Sequence, residues 1–178
     1  MKRNKLVKVI SSILVGASLI GTATTFIGCS TNTVEKTEVK SKPTWYNNPQ
    51  LFYNDYRERF KKIIVYMENI QKDGNKVENI DSPYLEQFIE NTLNNTGKMK
   101  KFKYSEEELS KLEDNDMWSL ATYLNLMIED YEKAIEFLKI NELEACAKYA
   151  ADSQKIMQEY IIPKVKEFKS KYSIEDLE

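Results

Sequence analysis

The sequence predicts an all-α protein: an antiparallel helical bundle of four to five helices, built on a long αα-hairpin. Two observations support this fold class. Beyond residue 48, apolar side chains recur every three or four residues, which is the period of one helix face. Residues that favour helix starts and stops separate these periodic segments. In addition, no run of alternating Val, Ile or Thr between turns indicates a β-strand.

Asn48 followed by Pro49 indicates the start of the first helix, because Asn caps helices well and Pro fits their first position. The helix is predicted to run to about Lys72, and Gly74 in a left-handed conformation would then end it. Arg57 is assigned to the solvent-facing side. The apolar stripe consists of Phe52, Tyr56, Phe60, Ile63, Met67 and Ile70.

The second helix is predicted between two turn signals. Asp81, Ser82 and Pro83 indicate its start, and the Asn-Asn-Thr-Gly stretch at 94–97 indicates its end. Residues 98–104 follow as a short basic loop that contains aromatic side chains. We expect this loop to be solvated, with contact to anionic lipid or to a wall polymer as the alternative.

Ser105 and Glu108 have the spacing of a capping box and predict a short third helix or a turn. Asp116 is predicted to cap the fourth helix. That helix contains the most regular pattern in the chain, an apolar seam with alternating spacings of three and four. The seam consists of Met117, Leu120, Leu124, Met127, Tyr131, Ala134 and Leu138.

Asn141 and Glu144 repeat the capping pattern, which places a tight turn directly after the fourth helix. The fifth helix is predicted from Glu142 to about Lys171. Two long amphipathic helices joined by so short a turn form an αα-hairpin. We expect this hairpin, residues 117–171, to be the spine against which the first two helices pack.

The fifth helix contains Pro163, which lacks a backbone N–H and should kink the helix near Tyr160. Its predicted inward side chains are Leu143, Cys146, Ala150, Ser153, Met157, Tyr160, Ile161, Val165 and Phe168.

The first 28 residues have a different character. Four basic residues within the first eight precede an apolar run from Val9 to Gly28, and no acidic residue occurs before Glu35. A basic start, an apolar middle and a small residue before a cleavage point indicate an export signal. A cleaved secretory signal and an uncleaved membrane-spanning helix are the alternatives.

The end of this leader, Phe26-Ile27-Gly28-Cys29, resembles the lipobox of bacterial prolipoproteins. The resemblance covers these four residues and the shape of the leader. It implies that Cys29 carries a diacylglycerol and becomes the first residue of the mature chain. Two acyl chains give stable attachment, whereas one chain holds a protein only marginally. The implied location is the extracytoplasmic face of the cell membrane.

The predicted organisation has four parts. They are a signal peptide (1–28), the lipidated Cys29 with a flexible tether (29–47), a helical bundle domain (48–172) and a C-terminal tail (173–178). The tether is expected because residues 30–44 are mostly Ser, Thr, Lys, Glu and Val, with no apolar period that could form a core.

Composition excludes several classes of function. The chain has no histidine, which excludes Ser-His-Asp and Cys-His catalysis and histidine metal sites. Without the four basic residues of the leader, the 26 basic residues fall to 22 against 28 acidic ones, a formal charge of −6. That charge does not suit nucleic acid. Cys146 has no disulfide partner if Cys29 is lipidated, so we expect it to be a core residue. No cofactor and no metal are expected.

The preferred function is a non-catalytic interaction module, held at the membrane by its lipid anchor, that binds an unidentified protein or envelope partner. Anchored helical domains also serve as immunity or exclusion factors, which is an analogy of fold alone. One alternative is a carrier or sensor that holds a small apolar ligand between helices. Another is an enzyme that uses carboxylates alone. Against that, the acidic residues Glu129, Asp130, Glu132 and Glu136 are expected to form a solvated face.

A candidate partner surface lies where the tether meets the bundle. It consists of Trp45, Tyr46, Phe52, Tyr53 and Tyr56. Aromatic side chains of this kind often anchor protein contacts. The alternative is that they seal the end of the bundle as part of its core.

Overall fold

The computed structural model describes residues 44–74, 76–77 and 83–175. These residues form helices and no β-strand among them, and the helices pack as a bundle, so the predicted all-α class is confirmed. The predictions for the leader, for Cys29, for the tether up to residue 43 and for Asp81 and Ser82 concern residues outside those described.

The described helices are numbered in chain order. They are α1 (Pro49–Gly74), α2 (Leu85–Met99), a 3₁₀ turn (Lys100–Phe102), α3 (Glu106–Ser110), α4 (Asn115–Lys139), α5 (Leu143–Lys155), a π-helical segment (Ile156–Ile161) and α6 (Ile162–Tyr172). The last three follow one another without a break. Together they are called the C-terminal helix below.

Helix α4 is the centre of the packing. It contacts the C-terminal helix along its length, and α2 contacts both α4 and α1. The direction alternates between successive long helices, since Asn91 of α2 donates to Asp73 at the far end of α1. The start of α1 meets α6, where the rings of Phe52 and Phe168 lie 5.8 Å apart. The predicted α4 hairpin is therefore confirmed as the spine of the bundle.

The apolar seam predicted for α4 is confirmed, because all seven of its side chains are buried. The stripe predicted for α1 is buried as well. Arg57 was assigned to solvent, and this is wrong, because its side chain is only 7% exposed in the fold. All the core side chains of the described region come from residues 52–174, so that region contains its own core.

Two of the predicted helix starts are confirmed. The Asn48 side-chain oxygen accepts a hydrogen bond from the Leu51 amide at 3.0 Å, directly before the first turn of α1. At α3, the Ser105 hydroxyl accepts from the Glu108 amide, and the Glu108 carboxylate accepts from the Ser105 amide. Both arrangements satisfy amides that have no partner within the helix itself.

The cap of α4 is Asp114 rather than Asp116. One Asp114 carboxylate oxygen accepts from the amides of Asp116 and Met117 at 2.8 and 3.0 Å. Asp116 lies inside the first turn, where it pairs with Lys164 at 2.7 Å and Lys171 at 2.5 Å. An acid at either position suits the positive end of a helix, and Asp116 is held instead by the two lysines of the C-terminal helix.

The predicted end of the second helix is wrong. α2 continues through 94–97 to Met99, and Gly97 does not adopt a positive φ. The hydroxyls of Thr92 and Thr96 donate to carbonyls one turn earlier and are buried against the core. Because this face packs inward, the polar sequence does not break the helix. Gly74 likewise ends α1 without a positive φ.

The turn between α4 and α5 uses Asn141 differently from the prediction. Asn141 has φ 61°, the left-handed conformation that ends helices, and its amide donates to the Leu138 carbonyl at 3.0 Å. It therefore closes α4 rather than capping α5. Glu142 occupies the cap position of α5 without a side-chain hydrogen bond.

Where the sequence predicts a kink, the structure has a π-helical segment that ends shortly before Pro163. Pro163 has no N–H to donate to the preceding turn, and a wider turn accommodates this loss. One consequence contradicts the prediction for Tyr160, which is 41% exposed instead of facing inward. Its ring lies 5.2 Å from that of Tyr123 on α4.

Candidate functional site

The predicted aromatic surface is mostly core. Phe52, Tyr53 and Tyr56 are each at most 1% exposed, so they cannot contact a partner while the bundle is folded. Trp45 and Tyr46 are half-buried and pack with their rings 5.9 Å apart. These side chains seal the end of the bundle, which was the alternative reading of the sequence.

A groove of about 710 Å³ lies between α4 and the segment that leads from α2 into α3. Its walls carry both charged and apolar side chains. The lining consists of Lys100, Lys103, Tyr104, Ser105, Glu106, Leu109, Thr122, Asn125, Leu126, Glu129 and Glu132. The predicted basic loop therefore forms one wall, and part of the predicted acidic face forms the other.

Two ion pairs join the walls of the groove. Lys103 Nζ lies 2.5 Å from a carboxylate oxygen of Glu129, and Lys100 pairs with Glu132. Lys100 and Lys103 are three residues apart. Glu129 and Glu132 have the same separation, so both ion pairs can form at the same time. The predicted solvated acidic face is observed only in part: Glu136 is exposed, whereas Glu129 and Glu132 are half-buried and each pairs with a lysine.

Asn125 holds the backbone of the groove wall in place. Its side-chain oxygen accepts from the Tyr104 amide at 2.8 Å, and its side-chain nitrogen donates to the Tyr104 carbonyl at 2.7 Å. Asn125 lies on α4, and its side chain is buried. These two bonds satisfy both polar groups of a backbone unit that no helix includes. A single α4 side chain thus fixes the distance between the walls.

Arg59 of α1 supports the same segment from behind. Its guanidinium donates to Asp55 at 2.8 Å, to Glu108 at 2.6 Å and to the Lys103 carbonyl at 3.0 Å. The guanidinium carbon also lies 4.0 Å from the ring centre of Tyr104, close enough for a cation–π interaction. One residue therefore ties α1, the groove wall and the start of α3 together.

The titration of these groups reflects the same network. Burial raises the pKa of the Tyr104 hydroxyl, and the nearby Asp55 carboxylate raises it further. Partial burial disfavours the charge on Glu108, but the hydrogen bonds from Arg59 and Ser105 outweigh it and lower the pKa of that carboxyl. Burial opposes the charge on Arg59 too, yet its bond to Glu108 and the neighbouring charges leave its pKa raised.

An apolar strip lies on the outward side of α4 beside the groove. Trp118 is 48% exposed and Leu126 is 40% exposed, and their separation of eight residues places both on one side of the helix. Thr122 lies between them, and its hydroxyl is buried without a hydrogen-bond partner among the described residues. Leu109 of α3 is the apolar residue of the opposite wall. Residues 117–128 carry no charge, so this exposed strip of α4 is the candidate contact surface beside the groove.

The acids, the helices and the free thiol of the described residues bear on three other roles. No three His, Cys, Asp or Glu side chains in residues 44–74, 76–77 and 83–175 are grouped to hold a metal ion. None of the described helices is long and apolar enough to cross a bilayer. Burial raises the pKa of the Cys146 thiol to about 12, so that thiol is a core group and not a nucleophile.

Comparison of the chain with protein-family models, with curated proteins and with solved structures gave no match. The assignment of a site therefore depends on geometry alone. Two signals in the sequence point to the groove in retrospect. The lysines and glutamates share a spacing of three, and Trp118 and Leu126 are apolar residues that lie off the α4 seam.

Proposed function

We propose that this chain is a lipoprotein tethered to the extracytoplasmic face of the cell membrane, where its helical bundle acts as a non-catalytic interaction module. The leader and Cys29 support this location. The groove beside α4 supports the role. The exposed Trp–Leu strip lies beside it, and Asn125 and Arg59 hold the groove wall in place. A rigid surface loses little freedom when it binds.

The groove also bears on the alternative functions. A carrier for an apolar ligand needs an enclosed apolar cavity between the helices. The groove beside α4 is instead open at the surface and has charged walls. A carboxylate enzyme needs two acids that converge in one cleft with separated pKa values. In the groove, Glu129 and Glu132 each pair with a lysine instead. We therefore retain the interaction module as the proposal.

The anchor is tested by Cys29→Ser. We expect the unaltered protein to sediment with membranes and the variant to be released, because the serine hydroxyl cannot form the thioether to the diacylglycerol. Immunoblotting of membrane and soluble fractions measures this. Cys146→Ala is the matched control and should remain with the membrane, since Cys146 is buried in the bundle. Retention of the Cys29→Ser variant in the membrane fraction would contradict the lipid anchor.

The contact surface is tested by Leu126→Glu. A charge at Leu126, where the strip meets the groove, should reduce partner binding about 30-fold or more, because a residue central to an interface contributes roughly 2 kcal/mol. The measurement is cross-linking of the anchored protein on intact cells, followed by recovery and quantification of cross-linked partners. Ile140→Glu is the control, because Ile140 is 64% exposed just after α4 and away from the groove. If both variants recover equal amounts of cross-linked partners, the strip is not the contact surface.

A further inference from the structure

A second surface of the bundle combines positive charge with exposed apolar side chains. It lies where α1 meets the end of α2 and the 3₁₀ turn. The rings of Tyr66 and Phe102 stack there, with their centres 6.1 Å apart and an angle of 26° between the planes. Lys62 Nζ lies 5.4 Å from the centre of the Phe102 ring, and Lys98 Nζ lies 5.9 Å from that of Tyr66.

Two more residues extend this surface, which is called the basic–aromatic patch below. Lys101, next to Phe102, is exposed, and Val65, next to Tyr66, is 53% exposed. The patch therefore consists of Lys62, Val65, Tyr66, Lys98, Lys101 and Phe102.

The lysines of the patch differ from most other exposed lysines of the described residues. Elsewhere, side chains such as Lys111 and Lys148 pair with a carboxylate one turn away. No carboxylate of the described residues lies within ion-pair distance of Lys62, Lys98 or Lys101. On α1, the acid one turn before Lys62 is Glu58, which pairs with Lys61 at 3.5 Å. The patch is therefore a local excess of positive charge on a mature chain whose predicted net charge is −6.

We infer that the basic–aromatic patch binds the anionic phospholipid surface of the membrane to which the chain is tethered, and so sets the orientation of the bundle. The inference rests on the proposed function, because the tether is what keeps the patch near the bilayer. Unpaired lysines attract anionic headgroups within a Debye length of the surface. Tyr66, Phe102 and Val65 add the apolar contact that such interfaces favour.

The dimensions of the chain allow this contact. Val65 lies sixteen residues along α1 from Pro49, which corresponds to about 24 Å of helix. The predicted tether of about fifteen residues has a typical end-to-end distance of about 20 Å and can extend further. With α1 lying along the membrane, the patch reaches the headgroups. In this orientation the patch and the α4 groove are neighbours, because Lys100 and Lys103 of the groove wall flank Lys101 and Phe102.

The test uses the mature chain from residue 29 with Cys29→Ser, so that no acyl chain contributes to binding. Its binding to vesicles of phosphatidylglycerol mixed with phosphatidylcholine is compared with binding to phosphatidylcholine alone, by sedimentation at low and at physiological salt. We expect binding to the anionic vesicles only, weakened by salt. Replacing Lys62, Lys98 and Lys101 together by Gln should reduce the partition coefficient roughly a hundredfold, since each lysine contributes about fivefold.

The matched control removes the same charge elsewhere, by replacing Lys139, Lys148 and Lys155 by Gln. It should reduce binding less than about fivefold, because these exposed lysines lie outside the patch. Circular dichroism checks that both triple variants are folded. An equal loss of binding in the two triple variants would overturn the inference, because the effect would then be one of net charge. No measurable binding by the parent chain would overturn it as well.

A further arm distinguishes the bilayer from a free anionic polymer. Val65→Ser should weaken binding to the anionic vesicles several-fold and leave binding to soluble polyphosphate unchanged, since only the bilayer offers an apolar layer to Val65. Suppose that Val65→Ser does not change binding to vesicles and that the triple variant of the patch no longer binds polyphosphate. The patch is then a polyanion site and the lipid inference fails. The membrane anchor is judged separately by the Cys29→Ser fractionation, so the two failures are distinguishable.

Discussion

Replacing Phe52 by alanine is expected to lower the free energy of unfolding by about 3–5 kcal/mol, the range for a buried aromatic truncated to alanine. Phe52 is 0% exposed. Its ring lies between 5.8 and 6.4 Å from those of Trp45, Tyr56, Tyr104 and Phe168. Truncation therefore leaves a cavity where α1, α6 and the groove wall meet. In a domain of this size, the melting temperature should fall by about 10–20 °C.

Leu51→Ala is the control for this prediction. Leu51 precedes Phe52 but is 36% exposed, so its truncation should cost less than about 1 kcal/mol. Urea unfolding followed by circular dichroism measures both variants. If Phe52→Ala is as mild as Leu51→Ala, Phe52 belongs to a surface after all, and the original interpretation of the aromatic cluster as a partner site would be restored.

Replacing Arg59 by methionine is expected to cost about 3 kcal/mol, because it removes the positive partner of a largely buried ion-pair network. Methionine retains much of the aliphatic stem but none of the donors. Asp55 and Glu108 would lose their bonds to the guanidinium, and the Lys103 carbonyl would lose its donor. The groove wall should also loosen, so the variant should bind a partner of the α4 groove more weakly than its loss of stability alone explains.

Lys61→Met is the matched control, since Lys61 forms an exposed pair with Glu58 at 3.5 Å. Pairs of this kind contribute at most about 1 kcal/mol. A double-mutant cycle of Arg59→Met with Glu108→Gln isolates the interaction between the two residues, and we expect a coupling of about 1–3 kcal/mol. A coupling near zero would show that Arg59 contributes through packing alone and not through the network described.

Much of the fold could be predicted because its signals are local. The alternating spacing in α4 buries the seam from Met117 to Leu138, and the Ser105–Glu108 capping box forms as expected. Both patterns act within one or two helical turns, so neighbouring sequence is sufficient to identify them. The errors occur where distant residues compete. Asp114 replaced Asp116 as a cap because Lys164 and Lys171 bind the latter.

The candidate site could not be predicted in the same way. Asn125 lies on α4, where only the packed fold brings it to the backbone of Tyr104. Arg59 has the pattern of a solvent-facing residue, yet it contacts a segment more than forty residues away in the sequence. The spacing of Lys100 and Lys103 matched that of Glu129 and Glu132, but nothing local indicated that the two pairs would meet.

The sequence by itself determined the helical class, the positions of the helices to within a few residues, and the expectation of an exported, lipid-anchored chain. The tertiary structure alone decided which aromatic residues are core and which polar residues are buried. It also decided where opposite charges meet and which apolar side chains stay exposed as a surface. The reason is the distance along the chain between the residues that decide each property. Helix periodicity and capping are set by neighbours along the chain, whereas burial and pairing depend on which helices pack together.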